Sequence, residues 1–168
     1  MEKTGPLSII GRHSVFQRRP GRGVTCIRSF GLQTIEHNLA VVDRHIQGEA
    51  RDVDSILDLY TDDIVLEVPG RGLRFVGRDA VRANYLAMWP SMAEVEITPL
   101  DRFATEHRVV DDMLVHLRLV GPGMVNAPVA IGSRVALRLV HHFEMRDGLI
   151  AREQVFEMWN LREPEAGR

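Results

Sequence analysis

The spacing of apolar residues in this chain of 168 residues changes at Pro90, and that change constrains the fold most strongly. Before Pro90, outside two short strand-like runs, apolar residues recur every three or four positions, as on one face of a helix, whereas after it they alternate, as in a strand. Four strands are predicted after Pro90, over about 93–107, 108–120, 130–146 and 149–158. Helices followed by long strands with short turns predict an α+β fold, in which the helices pack on one face of a curled antiparallel sheet.

The first half of the chain predicts three helices and a hairpin. Helix one runs from a Thr34 cap to about Ala50, and helix two follows an Asp52 cap in the segment DVDSILDLY. The runs IVLEV and LRFV, on either side of a Pro-Gly turn, predict the two strands of the hairpin. Helix three begins after Gly77 and ends at Pro90, which lacks a backbone donor.

The composition predicts one domain over residues 31–162, since a chain of this length can bury a single core. Residues 1–30 contain Glu2 as their only acid and scattered Gly and Pro, so they predict a poorly ordered or misassigned tail, and 163–168 form a second tail. The lone Cys26 excludes an internal disulfide, and no apolar run is long enough to span a membrane. The net charge of -2, without a basic stripe, argues against nucleic acid as a partner. We therefore expect a cytoplasmic protein.

The predicted order of elements resembles that of the nuclear transport factor 2 superfamily, and three stretches between residues 35 and about 160 strengthen the resemblance. DVDSILDLYTDDIVLEVPG is similar to the family's passage from a short helix through an aspartate pair into the first strand. FVGRDAVRANY resembles the entry to its third helix, and HHFEMRDGLIAREQVFEM resembles its final hairpin. The segment His45-Ile46-Gln47-Gly48-Glu49 resembles a segment of helix one in many SnoaL-like members, the branch that includes polyketide cyclases.

This resemblance implies a nuclear transport factor 2-like cone, with three N-terminal helices packed on the curled antiparallel sheet around an apolar cavity. Relatives use that cavity as polyketide cyclases, ketosteroid isomerases or epoxide hydrolases, and others are binding or assembly domains. The fold alone does not choose among these functions.

His141 is the one polar residue on the apolar face predicted for the strand over residues 134–145. That face comprises Val135, Leu137, Leu139, His141, Phe143 and Met145. If it lines the cavity, burial would lower the pKa of His141 and leave a neutral base. A core histidine bonded to a backbone carbonyl is the alternative. The neighbouring strand places His116 on the opposite, polar face, which makes it a poor candidate.

Three further ionisable residues are candidates for chemistry. Periodicity does not decide which face of the last strand points inward, but the resemblance places Glu153 in the cavity, where it could act as an acid or base. A structural salt bridge is the alternative for Glu153. His45 and Glu49 lie four residues apart on helix one and therefore share a face, either as a catalytic pair or as an exposed pair that stabilises the helix. The orientation of Glu67 stays open, with solvent favoured.

Nine other residues are expected to line the cavity as substrate contacts. Three of them, Tyr60, Tyr85 and Trp89, are aromatic residues assigned to helix faces. The others come from the later strands: Val115, Leu117, Leu139, Phe143, Val155 and Glu157. Departures from catalytic relatives narrow the chemistry. Val68 stands near the position of the isomerase base, and Val115, Leu117 and Val155 replace the charged set of epoxide hydrolases. Polyketide cyclases use an acidic residue on the final strand, and Glu157 could take that position.

These residues favour cofactor-free proton transfer on a small hydrophobic carbonyl compound, with His45, Glu49, His141 and Glu153 as catalytic groups. A non-catalytic ligand-binding or scaffold domain is the first alternative, and the small subunit of a ring dioxygenase is another. No metal or cofactor is expected, because the sequence has no cysteine or histidine pair with ligand spacing and no phosphate loop. The mixed charges of Arg134, Arg138, His142 and Glu144 on the outer strand face predict a homodimer.

Overall fold

The computed structural model describes residues 25–49 and 52–162, with side chains from residue 34 onward. The described part contains three α-helices, two 3-10 turns and six strands. The helices are α1 (Thr25–Gly48), α2 (Val53–Leu57) and α3 (Arg78–Met88), and the 3-10 turns are Pro69–Arg71 and Trp89–Ser91. The strands are β1 (Tyr60–Val68), β2 (Leu73–Val76), β3 (Met92–Ala104), β4 (Arg108–Leu119), β5 (Arg134–Arg146) and β6 (Leu149–Leu161). The α+β class and the order of elements predicted from the sequence are confirmed.

All six strands form one curled sheet in the order β2-β1-β6-β5-β4-β3. The curled antiparallel sheet predicted from the sequence is confirmed for every neighbouring pair of strands except β1 and β6, which run parallel. The four long strands follow one another antiparallel. No tight turn joins β6 to β1, so their direction is not restricted to antiparallel. The last strand of the chain thereby lies beside the first.

Several element ends differ from the sequence prediction, including the start of β5 at Arg134 instead of about 130. Helix α1 begins at Thr25, well before the predicted Thr34 cap, and residues 1–24 and 163–168 of the predicted tails lie outside the described residues. Helix α2 does follow its Asp52 cap, but it ends at Leu57, and Tyr60 begins β1 instead of continuing the helix. The backbone amide of Ile150 in β6 donates to the carbonyl of Leu59, so pairing with β6 overrides the helical spacing there.

The core lies between the helices and the concave face of the sheet. The predicted alternation in β4 and β5 is confirmed, because every second residue of β4 is buried, and in β5 the same set is buried except for the half-buried Leu139. Phe143 and Val135 are fully buried, and His141 is 4% exposed on the same face. Glu153 is also on the concave face, at 0% exposure. Glu67 lies on the outer face, where it pairs with Arg152.

The loop between β4 and β5 closes over the end of α3. Met124 of this loop is 5% exposed and belongs to the core. Gly123 makes that approach possible, since a Cβ atom added there would lie 1.8 Å from the carbonyl oxygen of Ala87. The loop is therefore held against α3 by a backbone contact that only glycine permits.

We predict that Gly123→Ala lowers the free energy of unfolding by at least about 1–3 kcal/mol, the usual cost of overpacking a tight contact. Gly70→Ala is the matched control, because an added Cβ at Gly70 meets nothing within 4 Å. Urea unfolding of both variants measures the difference. Equal stability of the two variants would contradict the tight packing of this loop.

Candidate active site

A cavity opens between the concave face of the sheet and helix α3. The room within it for the centre of a water molecule is about 60 Å³, several times the roughly 10–15 Å³ that one water needs. Its walls are mainly apolar, with Met113, Val115, Leu137 and Val155 among them. Most of the polar side chains occur in two groups, and one of these contains Glu49, Tyr85, His141 and Glu153.

Glu153 is the residue on which the first polar group converges. The hydroxyl of Tyr60 donates to Glu153 Oε2 at 2.6 Å. The hydroxyl of Tyr85 lies 3.4 Å from Oε1, and His45 Nε2 lies 3.5 Å from the same oxygen. A buried carboxylate surrounded by hydrogen-bond donors and a cation is favoured in its charged form. Although burial acts in the opposite direction, His45 and these donors together lower the pKa of Glu153.

His45 of α1 lies beneath the cavity, entirely buried between two carboxyl groups. Its Nε2 is 3.5 Å from Glu153 and 3.6 Å from Glu49 Oε2. Its Nδ1 is 3.4 Å from the hydroxyl of Tyr60, and the edge-to-face contact with Phe143 fixes the ring further. Burial alone would lower the pKa of His45, but the negative charge of Glu153, with smaller contributions from Glu49, raises it. His45 and Glu153 therefore form a buried ion pair.

Glu49 differs from Glu153 although both contact the same imidazole. It lines the cavity, and only 7% of its surface is exposed. Burial raises the pKa of Glu49 to about 7, because the attraction of His45 is too weak to compensate for lost hydration and the repulsion of Glu153 adds to it. At neutral pH this side chain carries a proton about half of the time.

His141 of β5 lines the cavity beside this network. Burial lowers the pKa of His141, and Glu153 and Asp111 oppose that effect only in part. Its ring stacks on Phe143 with an interplanar angle of 12°. Nδ1 of His141 lies 3.9 Å from Oδ2 of Asp111, a residue of β4 that is 1% exposed. His141 is therefore a neutral imidazole near pH 7.

The second polar group of the cavity is the pair of Arg71 and Glu157, whose side chains are 4% and 3% exposed. Arg71 Nε lies 3.0 Å from Glu157 Oε2, and the indole nitrogen of Trp159 donates to the same oxygen. Arg71 also donates to the backbone carbonyl of Val125. The pair therefore ties the loop between β4 and β5 to β6.

The structure brings together most, but not all, of the residues predicted to line the cavity. Ten of the thirteen do so: Glu49, Tyr85, Trp89, Val115, Leu117, Leu139, His141, Glu153, Val155 and Glu157. His45, Tyr60 and Phe143 are absent from the lining, because they form the fully buried layer beneath Glu153. The assignment of Tyr60 to a helix face is wrong, since it belongs to β1.

Asp111 and Arg71 are buried at the site but were not predicted from the sequence. Asp111 has the same parity as Met113 and Val115 in β4, so the alternation extended by one step would have placed its carboxylate on the buried face. Arg71 lies in a 3-10 turn, where no periodicity indicates which side chains are buried.

The described residues contain no group of three or more histidine, cysteine or acidic side chains arranged to hold a metal ion. None of the helices in the described part of the chain is long and apolar enough to cross a membrane.

The sequence profile of the SnoaL-like domain matches residues 42–153, two thirds of the chain. The chain therefore belongs to the SnoaL-like family. Among proteins with curated functions none matches the sequence significantly.

Similar solved structures support the nuclear transport factor 2-like fold. A provisionally assigned SnoaL-like polyketide cyclase from Jannaschia sp. CCS1 has 17% identity and a TM-score of 0.64, over 82% of this chain and 91% of that one. An LEH-like epoxide hydrolase from M. tuberculosis has 19% identity and a TM-score of 0.58, over 74% and 84%. A provisionally assigned ketosteroid isomerase from Kribbella flavida has 21% identity and a TM-score of 0.57, over 80% and 86%. At these identities the likeness shows the fold alone.

The pKa of Glu49 predicts a pH-dependent stability. Because folding raises this pKa from 4.5 to about 7, the folded state binds a proton more tightly than the unfolded state does. Glu49 therefore favours folding below pH 4.5, and this contribution is lost as the pH rises to about 7.

We predict that the free energy of unfolding of the wild type, relative to Glu49→Gln, falls by up to about 3 kcal/mol between pH 4.5 and 8. Urea unfolding across this range measures it, with Glu36→Gln at an exposed position of α1 as the matched control. Parallel curves for the wild type and Glu49→Gln would show that Glu49 is an ordinary carboxylate.

Proposed function

We propose that this protein catalyses proton transfer next to the carbonyl group of a small hydrophobic compound, without a cofactor, in an isomerase or cyclase type of reaction. The observation that carries the proposal is the position of Glu49, a buried carboxyl on an apolar cavity wall with its pKa at about 7. A general acid or base works best when its pKa lies near the working pH. Membership of the SnoaL-like family, and neighbours assigned as cyclases and isomerases, support the same class of reaction.

In this proposal two residues on the cavity wall, His141 and Glu49, carry out the proton transfer, and their protonation states decide their roles. Neutral His141 takes the proton from the carbon next to the carbonyl, and the electrons of that C–H bond move toward the carbonyl oxygen. Protonated Glu49 donates a hydrogen bond to this oxygen and stabilises the enolate as its charge develops. The proton then returns from His141 to a carbon of the substrate, which restores both groups.

His45 and Glu153 serve as fixed charges beneath these groups. Glu153 accepts hydrogen bonds from Tyr60 and Tyr85 and pairs with His45, so its lone pairs are occupied. Its negative charge helps to keep the proton on Glu49. The cavity therefore presents a neutral base and a neutral acid to an uncharged, apolar substrate.

A non-catalytic ligand-binding domain is the second candidate. It is favoured by the fact that the lone pairs of Glu153 are already occupied by its protein partners. A network in which the central carboxylate already has its partners can exist for stability alone. In that case an apolar molecule would occupy the cavity and no proton would move.

Exchange of carbon-bound protons in D₂O separates the two candidates. We predict that the wild type accelerates deuterium incorporation next to the carbonyl of at least one small ketone in a panel from cyclohexanone to decalone, followed by proton NMR. His141→Ala should lower this rate by about 10²–10⁴-fold. Glu49→Gln should retain part of the rate, because its amide still donates, but should lose the decline above pH 7 that deprotonation of Glu49 causes.

His116→Ala is the matched control, since His116 lies on the outer face of β4 and should leave the rate unchanged. Ketones that bind, as detected by a thermal shift, without any exchange above the buffer rate would favour the ligand-binding domain. An equal loss of exchange in His116→Ala and His141→Ala would contradict the assignment of the base.

A homodimer formed through the outer sheet face is proposed as the assembly. Phe156 and Met158 of β6 are 45% and 47% exposed there, and the salt bridge between Arg138 and Asp112 lies beside them. A two-fold interface contacts itself, so a face with both signs of charge around an apolar centre is self-complementary.

We expect light scattering to give the mass of two chains for the wild type and of one chain for the double variant Phe156→Glu, Met158→Glu. Leu86→Glu is the control, because Leu86 is equally exposed but lies on α3. A wild type that remains monomeric at tens of micromolar, or that dissociates equally in the control, would reject this interface.

We also propose that the protein works in the cytoplasm on a small-molecule partner. The support is compositional, since Cys26 has no second cysteine with which to form an internal disulfide and the net charge is only -2. A weak net charge gives no attraction to nucleic acid or to an anionic membrane surface.

A further inference from the structure

Asp111 is a buried ionisable residue that the proposed mechanism does not use. It lies in β4 directly opposite His141 of β5 in the strand register, and it is 1% exposed. An unpaired carboxylate at such a position is costly, so its partners indicate its role. One of its oxygens, Oδ1, accepts a hydrogen bond from Arg102 Nε.

The other oxygen, Oδ2, faces Nδ1 of His141 at 3.9 Å, and both atoms are buried without a hydrogen-bond partner. Two unsatisfied atoms of opposite character that face each other can satisfy one another if they approach by roughly 1 Å. Because the oxygen of a carboxylate only accepts, the shared proton has to belong to the histidine. The neutral ring then carries its hydrogen on Nδ1.

We infer that Asp111 is a positioning residue, which holds His141 in the Nδ1–H tautomer so that its unprotonated Nε2 is presented to the cavity. Nδ1 of His141 is buried. The 4% of His141 that is exposed therefore lies on other atoms of a residue that lines the cavity. A ring nitrogen without a hydrogen is the atom that can accept a proton. The catalytic consequence rests on the proposed function, but the tautomer itself does not.

The surroundings of the pair keep Asp111 in place. Arg102 binds Asp111 through Nε and donates from Nη1 to Asp43 Oδ1 at 3.0 Å, and the side chain of Asp43 is about half exposed. This chain of ion pairs connects α1, β3 and β4 and fixes which oxygen of Asp111 points to Arg102. The remaining groups that act on His141 are Glu153 and His45, on the other side of the network.

The geometry gives a sharp expectation for Asp111→Asn. The amide oxygen keeps the hydrogen bond from Arg102, so the amide nitrogen takes the place of Oδ2 and faces Nδ1 of His141. An amide nitrogen donates, and Nδ1 must then accept. The single hydrogen of the neutral ring should therefore move to Nε2.

Nitrogen-15 NMR of the histidine side chains tests this inference without any substrate. We use the full chain at pH 7.5 and identify His141 among the seven histidines by the signals lost in His141→Ala. The wild type should show a protonated Nδ1 and an unprotonated Nε2, and Asp111→Asn should exchange the two chemical shifts. Asp43→Asn, which removes the outer partner of Arg102 and leaves Asp111, is the matched control and should keep the wild-type tautomer.

A wild-type His141 with its hydrogen on Nε2 would overturn the inference, and this result needs no variant to fold. An Asp111→Asn protein that melts cooperatively but keeps the wild-type shifts would also overturn it, as would an equal exchange in Asp43→Asn. If the shifts exchange as expected, the rate of deuterium incorporation should fall by at least about 10²-fold in Asp111→Asn. Tautomers that behave as expected in a protein without exchange activity would reject the proposed function and leave this inference standing.

Discussion

The buried ion pair of His45 and Glu153 is the interaction on which the rest of the site depends. Neither charge has access to water, so each is tolerated only because the other lies 3.5 Å away and Tyr60 donates to the carboxylate. The three residues come from α1, β6 and β1. The parallel pairing of β1 with β6 sets Tyr60 opposite Ile150, and from there its hydroxyl reaches Glu153, so the one departure from an antiparallel sheet matters to the site.

The properties of the cavity wall follow from this pair. Since His45 and Glu153 neutralise each other, a further negative charge on Glu49 would have no compensating cation, and its carboxyl group holds a proton up to about pH 7. Among the described residues no acidic group lies within 3.5 Å of the His141 ring to stabilise its protonated form, so burial keeps the imidazole neutral. A fixed pair of charges beneath the wall thus produces a neutral acid and a neutral base on it, in a cavity whose walls are mainly apolar.

Sequence patterns predicted the fold because the inward faces of β4 and β5 alternate and because short turns join β3 to β4 and β5 to β6. The same alternation identified His141, and the resemblance to the family indicated Glu153 on the cavity wall, whereas His45, expected there as well, lies in the buried layer beneath it. Tyr60 was assigned to a helix because its spacing from Val53 and Ile56 is helical, whereas its structure is decided by a strand more than eighty residues away. Such long-range pairing leaves no local signal.

Asp111 and Arg71 illustrate a different limit. Charged residues are normally expected to be exposed to solvent. Asp111 and Arg71 are buried because they form ion pairs with Arg102 and Glu157, respectively. The protonation states of Glu49 and Glu153 could also not be predicted from the sequence, because the two are the same residue type and differ in their surrounding donors and cations.

The most direct test of this account is a pH titration of the glutamate side chains by carbon-13 NMR, with the carboxyl carbons labelled. We predict one carboxyl signal that titrates at about pH 7 and disappears in Glu49→Gln, while the carboxyl of Glu153 stays ionised across that range. A Glu49 that titrates near 4.5, or a Glu153 that is neutral at pH 7, would contradict it.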